Sequence, residues 1–178
     1  MNVELMLLTV LQGLRTQILD AGMLFFTHLG DAGFIWAALT AVLLVFRRTR
    51  RVGCVLAAAL LVDAVLCNLI LKPLVARIRP CDILADVQLL ISRPDDFSFP
   101  SGHTAASFAS VTALWMAGKK QWAMAALLVG TLIAFSRMYL CVHYPTDILG
   151  GAILGAACGW AGAWLVKKAE RRMAIPRN

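Results

Sequence analysis

The stretch FPSGHT, from Phe99 to Thr104, is a polar turn that runs directly into an apolar segment, Ala105 to Ala117. A turn that opens a helix leaves the first backbone N–H groups without partners inside that helix. Such a helix end binds anions readily, and His103 lies beside any anion that binds there. The sequence therefore predicts an anion site at the start of a long apolar helix.

The composition indicates a membrane protein rather than a soluble one. Of the 178 residues, 60% are hydrophobic and only 15% are charged, and the mean hydropathy is +0.76. Soluble domains carry about a quarter charged residues. We expect an all-α fold, a polytopic membrane helical bundle that forms a single domain over residues 1–178. The net charge of +7 is then explained by basic residues that set the orientation in the membrane and contact anionic lipids. No nucleic acid partner is expected.

Apolar runs predict five membrane-spanning helices, since a span needs about 20 apolar residues. They are Met23–Phe46, Val52–Leu71, Thr104–Gly118, Gln121–Ser136 and Asp147–Val166. Residues 1–22 contain leucines near helical spacing with polar residues between them, which is typical of an amphipathic helix in the membrane interface. A sixth span in this segment stays open. Residues 23–171 are then the bundle core, and residues 172–178 are a cytoplasmic tail.

The basic residues predict the orientation of the bundle. Eleven of them flank one set of helix ends and five flank the other, so the positive-inside rule places the richer side in the cytoplasm. The C-terminus is then cytoplasmic, and the Ser-Gly-His turn faces the periplasm or the exterior of a cell membrane. The eleven are Arg47, Arg48, Arg50, Arg51, Lys119, Lys120, Lys167, Lys168, Arg171, Arg172 and Arg177, and the five are Lys72, Arg77, Arg79, Arg93 and Arg137.

Three polar clusters lie at the predicted outer helix ends, in Lys72–Pro80, Pro100–His103 and Ser136–Asp147. A helical bundle would bring them together. Five of their residues suit a phosphoryl group, because cations neutralise its oxygens and a helix N-terminus supplies N–H donors. These five are Lys72, Arg79, Ser101, Gly102 and Arg137.

Two histidines in the clusters are candidates for chemistry. His143 and Asp147 are spaced i,i+4, so on a helical turn the carboxylate can reach the imidazole, fix its tautomer and raise its basicity. His103 is left to donate a proton to a leaving oxygen. If the cations only snorkelled and the pair were a helix cap, three independent coincidences would have to fall on one face.

Other polar residues are interpreted as less informative. His28 is predicted to be an ordinary interfacial histidine. Asp95 and Asp96 are predicted to be solvated loop charges, or charges that repel anionic competitors.

The three clusters resemble the motifs of the type 2 phosphatidic acid phosphatases, a family of lipid phosphate phosphatases related to the vanadium haloperoxidases. The similar region runs from about Lys72 to Gly151. The resemblance implies six helices and a metal-independent reaction without cofactors. It implies that His143 attacks phosphorus to form a phosphohistidine, that Asp147 orients it, and that His103 protonates the leaving group and later activates water. It also implies that phosphate is held by Lys72, Arg79, Ser101, Gly102 and Arg137.

We therefore expect an integral membrane phosphatase that acts at the outer leaflet on a lipid already in the bilayer. Family analogy favours undecaprenyl diphosphate, with phosphatidylglycerophosphate, phosphatidate or lipid A as alternatives. A lipid-phosphate binder or flippase would need the cations but not both histidines. Transfer of the phosphoryl group to an alcohol, and the oligomeric state, stay open at this point.

Overall fold

A computed structural model describes residues 3–84 and 87–174, and within these ranges every regular element is helical. The predicted all-α fold is therefore confirmed for the described residues. Arg177 and the rest of the predicted tail beyond residue 174 lie outside them. The helices are α1 (Val3–Gly13), α2 (Gln17–Leu29), α3 (Phe34–Val45), α4 (Arg50–Asp63), α5 (Lys72–Val75), α6 (Pro80–Ile83), α7 (Gly102–Met116), α8 (Lys120–Tyr139) and α9 (Pro145–Ala174).

Two short irregular helical pieces join some of these elements. A 3₁₀ turn, Asp31–Gly33, precedes α3, and a π-helical segment, Ala64–Leu71, connects α4 to α5 without a break. π-helical turns are rare and occur frequently at functional sites. Here the π-helical segment leads directly into Lys72, the first residue of the first polar cluster.

Length and composition give three to four candidate membrane spans among the described residues, where the sequence predicts five to six. Three are continuous: Arg50–Ile83, Lys120–Tyr139 and Pro145–Met173. The fourth combines α2 with the segment Asp31–Val45, which are bent by 45° relative to each other. Helix α7 has 15 residues, fewer than the ~20 that a typical span uses.

The predicted continuous helix from Met23 to Phe46 is wrong. The chain bends after Gly30, where Ala32 has φ = 50° and Gly33 has φ = 69°. Two successive residues in the left-handed region cannot continue a right-handed helix, and glycine accepts that region without steric cost. Beyond the bend, α3 runs away from the end of the bundle at which the polar clusters lie.

Helix α7 lies at the centre of the bundle and packs against α8, α9 and α4. Its contact with α9 is a contact of main chains. A Cβ atom added at Gly155 would lie 2.2 Å from the carbonyl oxygen of Ala105, and one added at Gly159 would lie 2.6 Å from that of Ala109. Small residues allow such approaches between membrane helices. The first residues of α7 and α9 are consequently neighbours.

The two ends of the bundle differ in what they bring together. At one end, the Arg51 Nε atom at the start of α4 lies 2.8 Å from Glu170 Oε1 near the end of α9. At the other end, helix α1 packs across the loop between α8 and α9, where the fully buried Leu8 contacts Cys141 and Tyr144. The polar clusters lie at this second end.

Candidate active site

The fold brings all three polar clusters together. A cavity of about 1200 Å³ is lined by six of the eight predicted site residues, namely Lys72, Arg79, Gly102, His103, Arg137 and His143. The other two, Ser101 and Asp147, are fully buried, and the Ser101 N–H donates to the Asp147 carbonyl oxygen at 3.1 Å. Residues that are far apart in the sequence therefore form one site.

His143 lies in the loop between α8 and α9 with only 1% of its surface exposed. Its Nε2 atom is 3.2 Å from Arg79 Nη1, and its Nδ1 atom is 3.5 Å from Asp147 Oδ2. A guanidinium only donates hydrogen bonds, so Nε2 accepts and the ring proton resides on Nδ1, facing the carboxylate. Burial lowers the pKa of His143 to about 3, so the ring is neutral. The electron pair of Nε2 consequently faces the cations and accepts the hydrogen bond of Arg79.

Asp147, in the first turn of α9, is held on both of its carboxylate oxygens. Oδ2 accepts hydrogen bonds from Ser98 Oγ at 2.5 Å and from the Tyr144 N–H at 2.8 Å. Oδ1 accepts one from Arg77 Nη1 at 2.6 Å. A buried charge needs such partners. The predicted i,i+4 approach to His143 is present as a 3.5 Å contact between charged or polar atoms, and among the described residues Nδ1 makes no hydrogen bond.

Lys72 and Arg79 already hold an anion that the chain itself supplies. Both side chains contact the carboxylate of Asp96, and Arg79 Nε also donates to the Asp96 carbonyl oxygen at 2.8 Å. Burial of the carboxyl raises its pKa, but the hydrogen bonds and charges of the two cations outweigh this and lower the pKa of Asp96 to about 2. The expectation that Asp96 is a solvated loop charge is therefore wrong. Its carboxylate marks an anion position on Lys72 and Arg79, and Arg79 also contacts His143.

Arg137 contributes a further donor to the cavity. Its side chain is 4% exposed, and one guanidinium nitrogen donates to Thr27 Oγ1 of α2. Its Nε atom is buried and has no hydrogen-bond partner among the described residues. Unsatisfied buried donors are costly and rare. The Nε–H group of Arg137 is thus available to an anion in the cavity.

His103, in the first turn of α7, is bonded to an acidic residue that the sequence reasoning missed. Its Nε2 atom lies 3.1 Å from Asp31 Oδ1, and the other oxygen of Asp31 lies 2.8 Å from His28 Nδ1. The carboxylate of Asp31 accepts a hydrogen bond from Nε2, so it orients the ring and favours its protonated form, in which Nδ1 also carries a proton. His28 is therefore not an isolated interfacial histidine. The bend after Gly30 is what brings Asp31 to this position.

Arg77 is another residue of the site that sequence reasoning missed. It lies in the first predicted cluster, yet helix-end cations have an ordinary explanation in snorkelling. The signal was its spacing of two from Arg79 in the non-helical segment before α6. Residues two apart in extended backbone point in the same direction. Accordingly, Arg79 contacts the His143 end of the pair and Arg77 contacts the Asp147 end.

Comparison with known proteins identifies the family. A model of the PAP2 superfamily matches residues 51–171. The undecaprenyl-diphosphatase of Sulfolobus acidocaldarius is 34% identical over 156 residues, which are 87% of this chain and 73% of that protein. The crystal structure of Aquifex aeolicus LpxE superposes with a TM-score of 0.76 and 31% identity, covering 91% of this chain and 95% of that one.

A second solved structure agrees with this assignment. The PAP2 type phosphatidylglycerolphosphate phosphatase of Bacillus subtilis superposes with a TM-score of 0.72 and 27% identity, covering 98% of this chain and 87% of that one. The predicted resemblance and the predicted lipid phosphatase activity are confirmed. The chain belongs to the PAP2 superfamily and is a membrane lipid phosphatase.

Proposed function

We propose that this enzyme hydrolyses the terminal phosphate of undecaprenyl diphosphate at the outer leaflet, through a phosphohistidine on His143. The observation that carries the proposal is the position of the His143 Nε2 atom, 3.2 Å from the Arg79 guanidinium that also holds the Asp96 carboxylate. The name of the Sulfolobus acidocaldarius relative supports this choice of lipid.

In the first step, the phosphate replaces the Asp96 carboxylate on Lys72 and Arg79. The Nε2 electron pair of His143 attacks phosphorus, and the bond from phosphorus to the leaving oxygen breaks. His103 gives its proton to that oxygen. Asp147 stabilises the positive charge that develops on the His143 ring. The protein acts mainly by positioning and by charge stabilisation, as phosphoryl transfer requires.

In the second step, neutral His103 takes a proton from water, and the resulting hydroxide attacks phosphorus. The bond between phosphorus and Nε2 breaks and its electron pair returns to His143. Inorganic phosphate leaves, and both histidines regain their starting protonation. Gly102 suits the phosphate because it is the first residue of α7, where a backbone N–H without a partner inside the helix can donate to an anion.

The shape of the cavity supports a lipid as the substrate. From the cations it extends between α3 and α4, where most lining side chains are apolar and small or flexible, although Thr40 and Asp63 also line it. The apolar ones are Ala37, Ala41 and Leu44 of α3, and Ala57, Leu60 and Leu61 of α4. A hydrocarbon chain in this groove would contact mainly apolar side chains while its phosphate lies on the cations.

The distribution of charge supports the proposed topology. We assign α3, α4 with its π-helical extension, α7, α8 and α9 as five spans, with α1 and α2 at the outer interface. This is one domain with residues 172–178 as the tail, and in this assignment the interfacial segment predicted over residues 1–22 extends to Leu29, the end of α2. The end of the bundle where Arg51 meets Glu170 then faces the cytoplasm, as does the C-terminus. The membrane is the inner or plasma membrane of the cell.

Phosphate release from undecaprenyl diphosphate in detergent tests the proposal, with excess EDTA, for the wild type and for His143→Ala. We expect release that survives EDTA and vanishes in the variant. Loss of wild-type release in EDTA would instead require a metal and would overturn the role given to His143. Release by His143→Ala equal to the wild type would favour a binder or flippase.

A second candidate substrate is phosphatidylglycerophosphate, favoured by the Bacillus subtilis structure that covers 98% of this chain. Phosphatidate and the lipid A of Gram-negative membranes are further candidates, the latter because a Bacteroides thetaiotaomicron relative is named a lipid A 4'-phosphatase. Rates on these lipids at equal mole fraction in the micelle decide among them. An added acceptor alcohol distinguishes transfer from hydrolysis by the appearance of a phosphorylated product.

A further inference from the structure

Arg77 connects three separate parts of the chain. Its Nη1 atom donates to Asp147 Oδ1 at 2.6 Å and to Thr146 Oγ1 at 2.7 Å, and its Nη2 atom donates to Glu4 Oε2 at 2.7 Å. Its guanidinium carbon lies 3.8 Å from the centre of the Tyr144 ring. An arginine with this many directed contacts is fixed in place. It is a specific contact rather than a charge that only snorkels.

Arg77 is directed at the orienting carboxylate and away from the substrate. It does not line the cavity, whereas Lys72, Arg79 and Arg137 all do. Asp147 faces His143 with Oδ2 and Arg77 with Oδ1. Arg77 therefore acts on the nucleophile through Asp147, by holding the carboxylate charged and turned so that Oδ2 stays towards His143.

Glu4 completes this arrangement from the N-terminal helix. Besides Arg77, it accepts hydrogen bonds from the Thr146 N–H at 3.1 Å and from Thr146 Oγ1 at 2.7 Å. The carboxylate thereby sits at the N-terminus of α9, where negative charge is favoured. Glu4 lies outside residues 51–171, the part that matches the family model. The site of this enzyme thus extends into α1.

We propose that Arg77 is a positioning residue for the His143–Asp147 pair and that Glu4 positions Arg77. The proposal rests on the proposed role of His143 as the nucleophile. When His143 attacks phosphorus its ring becomes positive, and a charged Asp147 with a fixed Oδ2 stabilises it. Arg77 keeps that carboxylate ionised by its positive charge. Glu4 limits this effect, because Arg77 divides its hydrogen bonds between two carboxylates.

The test compares Arg77→Gln, Arg77→Lys and Glu4→Gln with the wild type. The full chain in detergent is used, with whichever of undecaprenyl diphosphate, phosphatidylglycerophosphate or phosphatidate the wild type hydrolyses fastest. For Arg77→Gln we expect kcat to fall about 10- to 100-fold, the usual effect of losing a partner of an orienting residue. We expect KM to stay within about twofold, because ground-state binding does not involve Arg77. Arg77→Lys keeps the charge and should recover part of kcat.

The pH profile of kcat/KM separates positioning from a structural role. Arg77→Gln removes a positive charge beside Asp147, so the acid limb should move to higher pH. Glu4→Gln removes a negative charge that competes for Arg77, so the acid limb should move to lower pH, with a smaller loss of kcat. General destabilisation would not move the limb in opposite directions in the two variants. Arg93→Gln is the matched control, since Arg93 pairs with Asp82 in the loops of the same end and should leave kcat and KM unchanged.

Three results would overturn the proposal. The first is an Arg77→Gln variant with wild-type kcat and an unmoved acid limb. The second is an increase in KM at unchanged kcat, which would make Arg77 a substrate ligand. The third applies if Arg77→Gln does not fold in detergent. It is a wild-type kcat and a wild-type pH profile in both Arg77→Lys and Glu4→Gln. Failure on undecaprenyl diphosphate alone changes only the proposed substrate, because these comparisons use the lipid that is hydrolysed fastest.

Discussion

The Nε2 atom of His143 lies 3.2 Å from the Nη1 atom of Arg79, and both side chains are almost completely buried. The arginine therefore does two things. Before substrate binds, it fixes the tautomer of the ring, since only an unprotonated Nε2 can accept its hydrogen bond. In the proposed reaction, the same guanidinium lies beside the phosphorus atom that His143 attacks.

We predict that Arg79→Lys is more damaging than the preserved charge suggests. A lysine cannot reproduce the forked contacts to the Val142 carbonyl oxygen, His143 and Asp96. We expect kcat/KM to fall about 100-fold, the scale of losing one preorganised donor for the transition state. Steady-state kinetics in detergent measures this. Activity within a few-fold of the wild type would show that charge alone is sufficient at this position.

We predict that Asp96→Asn binds phosphate more tightly. The Asp96 carboxylate pairs with Lys72 and Arg79 and so competes with the substrate for both cations. Its side chain is 49% exposed, and such an ion pair is worth up to about 1 kcal/mol, so KM should fall by up to about fivefold. Inhibition by orthovanadate should strengthen to the same extent. The neighbouring Asp95→Asn is the control. A KM that rises in Asp96→Asn would make Asp96 a substrate-positioning group instead.

We predict that Gly30→Ala inactivates the enzyme through His103. A Cβ atom at position 30 would lie 2.6 Å from His103 Cδ2 and 2.8 Å from Ile133 Cγ2. Since a displacement of about 1 Å can cost 100-fold in rate, we expect kcat to fall at least about tenfold. Gly22→Ala, in the same helix, has nothing within 4 Å and should leave kcat unchanged. Equal activity of the two variants would contradict the contact with His103.

We predict that acid destabilises the fold partly through His143. Its native pKa is lowered to about 3 by burial, from an ordinary value of 6.5. Between these values the unfolded chain binds a proton that the native protein does not, so the free energy of unfolding decreases as the pH falls from 6.5 to 3. Thermal unfolding in detergent at pH 4 and pH 7 should show a smaller loss for His143→Asn than for the wild type. Equal losses would show that His143 is not buried as a neutral ring.

The sequence could single out the candidate site residues because their chemistry is unusual at apolar helix ends. A histidine four residues before an aspartate, or a Ser-Gly-His turn before an apolar run, has few ordinary explanations. Arg77 has an ordinary explanation, snorkelling at a helix end. Its role depends on a contact with Asp147, which is 70 residues away in the sequence. In the sequence, Asp96 resembles any loop aspartate. Only the fold shows that its carboxylate contacts Arg79, 17 residues earlier in the chain.

The errors in the predicted fold have a related cause. Hydropathy from Met23 to Phe46 averages over the bend, but the bend depends on backbone angles at Ala32 and Gly33. Without the bend, Asp31 would lie inside a span and could not reach His103. Local conformation thus decided which polar residue joined the site, and composition carries no information about it.

The close contact of α7 and α9 has a mechanical consequence. His103 lies in the first turn of α7, Asp147 lies in the first turn of α9 with His143 in the loop just before it, and the two main chains touch at Gly155 and Gly159. Contact between main chains is stiff, because no rotatable side chain lies between them. Changes in bilayer thickness or lateral pressure should then tilt this pair of helices as one unit. We expect the distance between the two histidines, and with it the rate of the chemical step, to be insensitive to the lipid in which the enzyme resides.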